Sequence, residues 1–212
     1  MKRTSWLTAA LAAVLATAAM AAEPVVDTSD PGKLIQSAAT AMLQELDAHR
    51  AEYLKDPARL EGVVTRILLP HFDTDYAAQL VLGRHWSAAS PEQRRRFVDG
   101  FYHSMLRNYS SALAGFKGDR LKVMPFAGDA GKAVTATVRT QVKSSSGEMV
   151  AVNYTLHKTN GEWKAWDVVI EGISYVKSFR DDYGAAVDRD GLDALIARLE
   201  TQAATRPVVN KS

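Results

Sequence analysis

VTATVRTQVK, residues 134–143, sets Val134, Ala136, Val138, Thr140 and Val142 against Thr135, Thr137, Arg139, Gln141 and Lys143. A period of two is the signature of a strand with one face buried and one wet. Ser144 to Gly147 then reads as a turn, and Met149 to His157 as the returning strand, with Val150, Val152, Tyr154 and Leu156 on one face. Thr159-Asn160-Gly161 supplies a second turn before an apolar strand from Trp163 to Glu171, and Leu121 to Pro125 opens the set. Short strands joined by such turns predict an antiparallel meander.

Outside this stretch the period is helical. Upstream, Asp30-Pro31 has the form of an N-cap with Pro at the first helical position. Leu34, Ile35, Ala38, Met42, Leu46 and Tyr53 follow at helical spacing. Pro57 to Leu68 predicts a second helix with Leu60, Val63, Val64, Ile67 and Leu68 on one face, stopped by Pro70. Thr74 to Leu82 predicts a third, closed by Gly83. Ser90-Pro91-Glu92-Gln93 is a capping box, and behind it Phe97, Phe101, Met105, Tyr109 and Leu113 recur every fourth residue. Downstream, helices are expected over Ser174 to Val187 and Gly191 to Gln202. The expected organisation is a helical part over 31–116, a sheet over 120–172 and closing helices over 174–203. Residues 22–206 then form one domain, with residues 23–30 as a flexible leader and 207–212 as a tail. The fold class is α+β, a helical layer over one face of a twisted antiparallel sheet.

The first 22 residues read differently. Lys2 and Arg3 precede an apolar run from Trp6 to Ala19, and Ala19-Met20-Ala21 fits a signal-peptidase site. The run is short for a bilayer span. The expectation is export to the periplasm, with the signal peptide cut after Ala21 or Ala22. Cleavage leaves 24 basic against 24 acidic residues, so nothing in the charge balance points to nucleic acid. The chain has no cysteine, which argues against thiolate metal ligands and a disulfide-built core.

Catalytic signatures are missing. His49, His71, His85, His103 and His157 show no zinc-hydrolase spacing, and there is neither a nucleophile elbow nor a phosphate-binding loop. Asp73 and Asp75 beside His71 suit turn or N-cap roles. If Trp166, Val168 and Ile170 point inward, Asp167 and Glu171 point away from any pocket. The apolar surplus has two readings. Phe97, Phe101, Met105 and Tyr109 are expected to face Val138, Val142, Val152, Tyr154, Val168 and Ile170, either as a close-packed core or as the lining of an acyl-sized cavity. Patterning accommodates both, because both use the same residue types.

Several segments taken in order carry a resemblance. Ile67-Leu68-Leu69-Pro70-His71-Phe72-Asp73, Tyr76-Ala77, Leu80-Val81-Leu82-Gly83, Trp86 and the Ser90 capping box resemble the MlaC family, also described as toluene-tolerance proteins. So do the run from Trp163 to Ser174 and the closing Gly191-Leu192-Asp193-Ala194-Leu195. The similarity spans roughly residues 31–200. It implies a fold related to the nuclear-transport-factor type, with phospholipid tails in a deep apolar pocket and the head group near solvent. It further implies a periplasmic carrier maintaining outer-membrane lipid asymmetry. Its partners would be an outer-membrane lipoprotein–porin complex and the substrate-binding component of an inner-membrane ABC transporter. No enzyme activity, cofactor or metal is implied, and one pocket mouth suits a monomer.

Transferred to this chain, the expected lining comprises Leu69, Phe72, Leu80 and Leu82, then Phe97, Phe101, Met105 and Tyr109 from the long helix. The sheet would add Val138, Val152, Tyr154, Val168 and Ile170, and the region after it Ile173 and Val176. Arg94-Arg95-Arg96 reads as a solvated face or as a docking surface for an acidic partner. Asp119 to Gly131 and Ser144 to Gly147 match nothing diagnostic, which leaves the pocket rim and lipid preference open. Two rival functions stay in play: a small isomerase or hydrolase using Asp167 or Glu171 with a histidine, and a chaperone module for apolar protein segments.

Overall fold

The computed structural model describes residues 26–114, 121–143 and 147–204. The signal-peptide expectation, the tail and part of the Ser144–Gly147 turn lie outside them. Helices come first: α1 (Pro31–Lys55), α2 (Pro57–Ile67), a 3-10 turn (Leu69–His71), α3 (Thr74–Leu82), α4 (Arg84–Ala88) and α5 (Pro91–Ala114). Five strands follow, β1 (Leu121–Val123), β2 (Thr135–Lys143), β3 (Met149–Thr159), β4 (Glu162–Ile170) and β5 (Ile173–Ser174), and then α6 (Tyr175–Asp190) and α7 (Leu192–Ala204). The strands pair in sequence order, every neighbour antiparallel. This is the α+β meander expected from the alternation. The short α4 and β5 were not anticipated.

Local chemistry explains the boundaries. The Asp30 carboxylate accepts from the N–H groups of Gly32 and Lys33 at 2.8 and 3.1 Å, with Pro31 at the first helical position. Before α5, Ser90 Oγ accepts from the Gln93 N–H at 3.1 Å while the Gln93 side chain accepts from the Ser90 N–H at 2.9 Å. Asn160 and Gly161 adopt φ 54° and 86° between paired Thr159 and Glu162, the left-handed turn that keeps a two-residue hairpin in step with strand twist. The leader departs from expectation. Val26 packs on the sheet core, and the Asp27 N–H donates to Ser37 Oγ at 2.9 Å, so the chain is anchored before α1 begins.

The apolar interior of the described residues falls into three clusters. Ala41, Met42, Leu46 and Tyr53 of α1 pack with Leu60, Val63, Val64 and Ile67 of α2. Val81 and Leu82 of α3, Phe97 and Phe101 of α5, Ala186 of α6, and Leu195, Ile196 and Leu199 of α7 form the second. Leu34 and Ile35 of α1 cover Ala136, Val138, Leu156, Trp163 and Ala165 of the sheet in the third. A domain of this size ordinarily has one contiguous core with minor satellites. Division into three is the feature that positions the site.

That division corrects the expected placement of α5. Phe97 and Phe101 stack on each other at 5.8 Å and meet Phe179 and Tyr183 of α6 edge-on, away from the strands. The cause is α7, which returns along α5. At Gly100 a Cβ would stand 3.1 Å from that of Leu199, so the bare backbone admits α7 closely. With its aromatic stripe spent on α6 and α7, α5 does not fill the sheet face.

A second correction concerns β4. Thr155 pairs with Asp167 and Leu156 with Ala165, which makes Trp166 the extra residue of a β-bulge. Trp166 consequently turns from the Val168 and Ile170 face and meets Tyr76 of α3 edge-on at 5.6 Å. Asp167 is buried and faces α6. The Ser174 hydroxyl donates to it at 2.7 Å and the Val176 N–H at 3.0 Å.

Candidate functional site

Register gathers the candidate lining on the sheet. Val138 pairs with Tyr154 and Tyr154 with Val168; Thr140 pairs with Val152 and Val152 with Ile170. Cross-strand partners project from the same face. The Thr140 hydroxyl donates to the Val152 carbonyl, which leaves the Tyr154 phenol as the polar group of this row without such a bond. Val138 is fully buried, whereas Tyr154, Val152, Val168 and Ile170 are half-buried, and the last three belong to none of the three clusters.

Tyr154 is the most informative of them. Burial pushes its phenol above the usual range. Nevertheless it is only half-buried, and its hydroxyl makes no hydrogen bond to the described residues. Enclosed tyrosine hydroxyls normally find a partner. The ring is thus surrounded by protein yet still reached by solvent.

The remaining expected lining residues separate into groups. Leu82, Phe97 and Phe101 are buried in the cluster of α3, α5, α6 and α7, with Met105 and Val176 packed against it. Phe72 packs on the sheet cluster and forms a bridge to Ala165. Leu69 and Leu80 are half-buried, and Ile173 stands 62% exposed on β5. Tyr109 lies in α5, but its side chain is outside the described residues. The structure thus brings Val138, Val152, Tyr154, Val168 and Ile170 together and sets the α5 residues apart from them. Leu68, just past α2 and expected on its apolar face, is partly buried against the α1–α2 cluster; Leu106 of α5 packs there too and was not foreseen. Leu106 neighbours Met105 in sequence but lies on the flank of α5 that meets α2, outside the every-fourth-residue stripe.

Polar groups around the site are mostly structural. Arg96 forms a bidentate pair with Glu200 of α7 at 2.8 Å for each contact. Arg94 donates to the Trp86 carbonyl at 3.0 Å and lies over the Trp86 ring. Only Arg95 of that run is exposed and unpaired among the described residues. A groove of ≈ 830 Å³ between α1 and the segment after β1 is bordered by Lys33, Gln36, Thr40 and Gln44 on one side and by Val123, Met124, Pro125 and Phe126 on the other. Among the described residues no three metal-ligating side chains converge, and no helix is long and apolar enough to cross a membrane.

Asp73 does serve as an N-cap, accepting from the Tyr76 N–H at 3.0 Å, and it also ties α3 to the sheet. Its other oxygen meets His157 Nε2 at 2.8 Å and accepts from the Thr159 hydroxyl at 3.0 Å. Burial acts to raise the Asp73 carboxyl, but these hydrogen bonds outweigh it and hold the carboxyl below its ordinary 3.8. A depressed carboxylate stabilises the fold above its unfolded value, and that stabilisation is lost as pH falls through the folded one. Asp73→Asn is expected to lower the urea midpoint at neutral pH, and its deficit relative to wild type to shrink as pH drops below 3.8. A deficit independent of pH would show that charge is irrelevant to the tie.

The fold and the site together define a class: α+β domains whose helices pack over an antiparallel sheet that carries a half-buried apolar row. The chain belongs to the MlaC protein family, whose profile matches residues 36–201. It is 33% identical over 164 residues to toluene tolerance protein Ttg2D of Pseudomonas putida, covering 77% of this chain and 75% of that protein. It is 27% identical over 206 residues to the intermembrane phospholipid transport system binding protein MlaC of Haemophilus influenzae, covering 96% and 93% of the two chains. A phospholipid-binding protein from Ralstonia solanacearum, solved in complex with a phospholipid, superposes with a TM-score of 0.76 at 26% identity, over 82% of this chain and 97% of the other.

Proposed function

We propose that this protein carries a phospholipid by its acyl chains, in the space between the Tyr154 face of the sheet and the helices. The carrying observation is the half-buried row of Val152, Val168 and Ile170, which no cluster claims, beside Tyr154 at the edge of the sheet cluster. The phospholipid in the Ralstonia solanacearum relative supports the same occupant. Each methylene withdrawn from water is worth about 0.8 kcal/mol, so a dry slot of suitable length suffices to hold a tail and no covalent step is needed. Its setting is the periplasm, after removal of residues 1–21 or 1–22. Lipid passes there between an outer-membrane lipoprotein–porin complex and the substrate-binding component of an inner-membrane ABC transporter, preserving outer-membrane asymmetry. A single carrier domain acting as a monomer meets these requirements.

Asp167 weighs against the isomerase or hydrolase alternative, since both of its oxygens are engaged by the start of α6. Native mass spectrometry of the protein purified from its periplasm tests the carrier reading. The expected result is a mass excess of one phospholipid that disappears on denaturation. A polypeptide that is bare as isolated and stays bare after incubation with phospholipid vesicles would rule the carrier out.

A further inference from the structure

Gln36, Thr40 and Gln44 are exposed along one side of α1, each a turn beyond the last. Facing them, Val123, Met124, Pro125 and Phe126 form a mostly apolar wall, and ≈ 830 Å³ stands open between the two. One wall offers amides and a hydroxyl that can bond a main chain. The other offers surface for side chains. An extended peptide is recognised by that combination.

The chain's own leader runs toward this groove. The Asp27 N–H donates to Ser37 Oγ at 2.9 Å, and the Asp27 carboxylate lies 3.7 Å from Lys33 Nζ. Asp27 is thus level with the second turn of α1, while Asp30 caps its first residues. The leader therefore travels antiparallel to the helix, and Asp27 itself borders the groove. Val26, one residue upstream, packs on the sheet cluster together with Val123 and Phe126.

Lengths agree as well. An extended chain advances about 3.3 Å per residue and a helix about 1.5 Å, so Asp27 back to Pro24 covers about 10 Å, as does α1 from Ser37 to Gln44. A chain cut after Ala21 or Ala22 ends within two residues of that point. Asp47, exposed one turn past Gln44, offers a carboxylate to the new α-ammonium. The residues themselves favour extension: Pro24 fixes its own φ and biases Glu23 away from helix, and Val25 is β-branched. With Val26 turned to the core, alternation brings Pro24 to the same side, over Met124 and Pro125.

We propose that this groove is the seat of the chain's own mature N-terminal segment, from Ala22 or Glu23 through Val25. The segment lies there as an extended strap that joins α1 to the edge of the sheet. The proposal rests on removal of the signal peptide, which belongs to the periplasmic reading, and is independent of the lipid.

The test uses the exported protein, labelled with ¹⁵N and purified from the periplasm, with its N-terminus sequenced and its amide relaxation measured. The expected order parameter of Val25 is about 0.85, that of rigid backbone, and in Thr40→Trp it is expected to fall below about 0.6. The indole grows from an exposed site into the groove, so the amides of the sheet are expected to keep their values. Should Thr40→Trp fail to fold, Gln44→Trp, exposed at the upstream end, replaces it. A mobile Val25 in the wild type overturns the seat. A Val25 that is rigid in both proteins is held elsewhere, which overturns it too. An exported protein that keeps residues 1–21 overturns the processing step and the strap with it, whereas phospholipid in the same sample upholds the carrier reading separately.

Discussion

Val152→Trp is expected to give a folded protein that leaves the periplasm without lipid. Val152 is half-buried in the middle of the Tyr154 row and is held by none of the three clusters. An indole there grows into the space that the tails would occupy. In a filled core the same enlargement would cost about 1–3 kcal/mol through displaced neighbours. Val138→Trp supplies that comparison, because Val138 is fully buried in the sheet cluster on the same face. Lipid content by native mass spectrometry and stability by urea unfolding separate the outcomes. Loss of lipid at near wild-type stability is the expected result for Val152→Trp, and destabilisation for Val138→Trp. If Val152→Trp instead loses stability as Val138→Trp does, the row is ordinary core.

Asp167→Ala carries the largest expected loss of stability. The carboxylate lies 5% exposed under α6 and accepts from the Ser174 hydroxyl and the Val176 N–H. Ser174 in turn accepts from the Lys177 N–H at 3.0 Å, so one acidic side chain organises the whole entry to that helix. Truncation removes the acceptor of the Ser174 hydroxyl and the Val176 N–H, together with a negative charge at the positive end of the helix dipole, and it strands buried donors. Together these cost about 3 kcal/mol. Asp167→Asn keeps an acceptor oxygen and is expected to lose about 1 kcal/mol. Urea unfolding of both variants checks the order. Equal losses would mean that the negative charge, rather than the accepted hydrogen bonds, is what the site needs.

What could be read from the residues followed their periodicity. The apolar positions of α1 and α2, the alternation in β2 and β3, the Ser90 capping box and the Asn160-Gly161 turn were all written in local pattern, and local pattern settled them. Failures came where a distant segment decided. The stripe Phe97, Phe101 and Met105 names a buried face of α5 without naming its partner. The choice between sheet and α7 rests on Gly100 facing Leu199, nearly a hundred residues away. Trp166 was misplaced because a bulge breaks a period of two without altering composition. Asp167, read as outward, is on the side opposite Val168 but is buried there by α6. Whether the Tyr154 row is filled or empty was undecidable in principle from residue type. What argues for an open row is its partial exposure together with the separation of the clusters.

The return of α7 onto α5 has a consequence in time. Phe97 and Phe101 emerge early in synthesis, yet Leu195, Ile196 and Leu199, which cover them, arrive with nearly the last residues of the chain. The bidentate clasp between Arg96 and Glu200 joins positions 104 residues apart. Native packing around α5 must therefore wait for nearly the whole polypeptide to be made. A nascent chain that stays loose until its final helix appears is the form that the proposed export to the periplasm through a secretion channel requires.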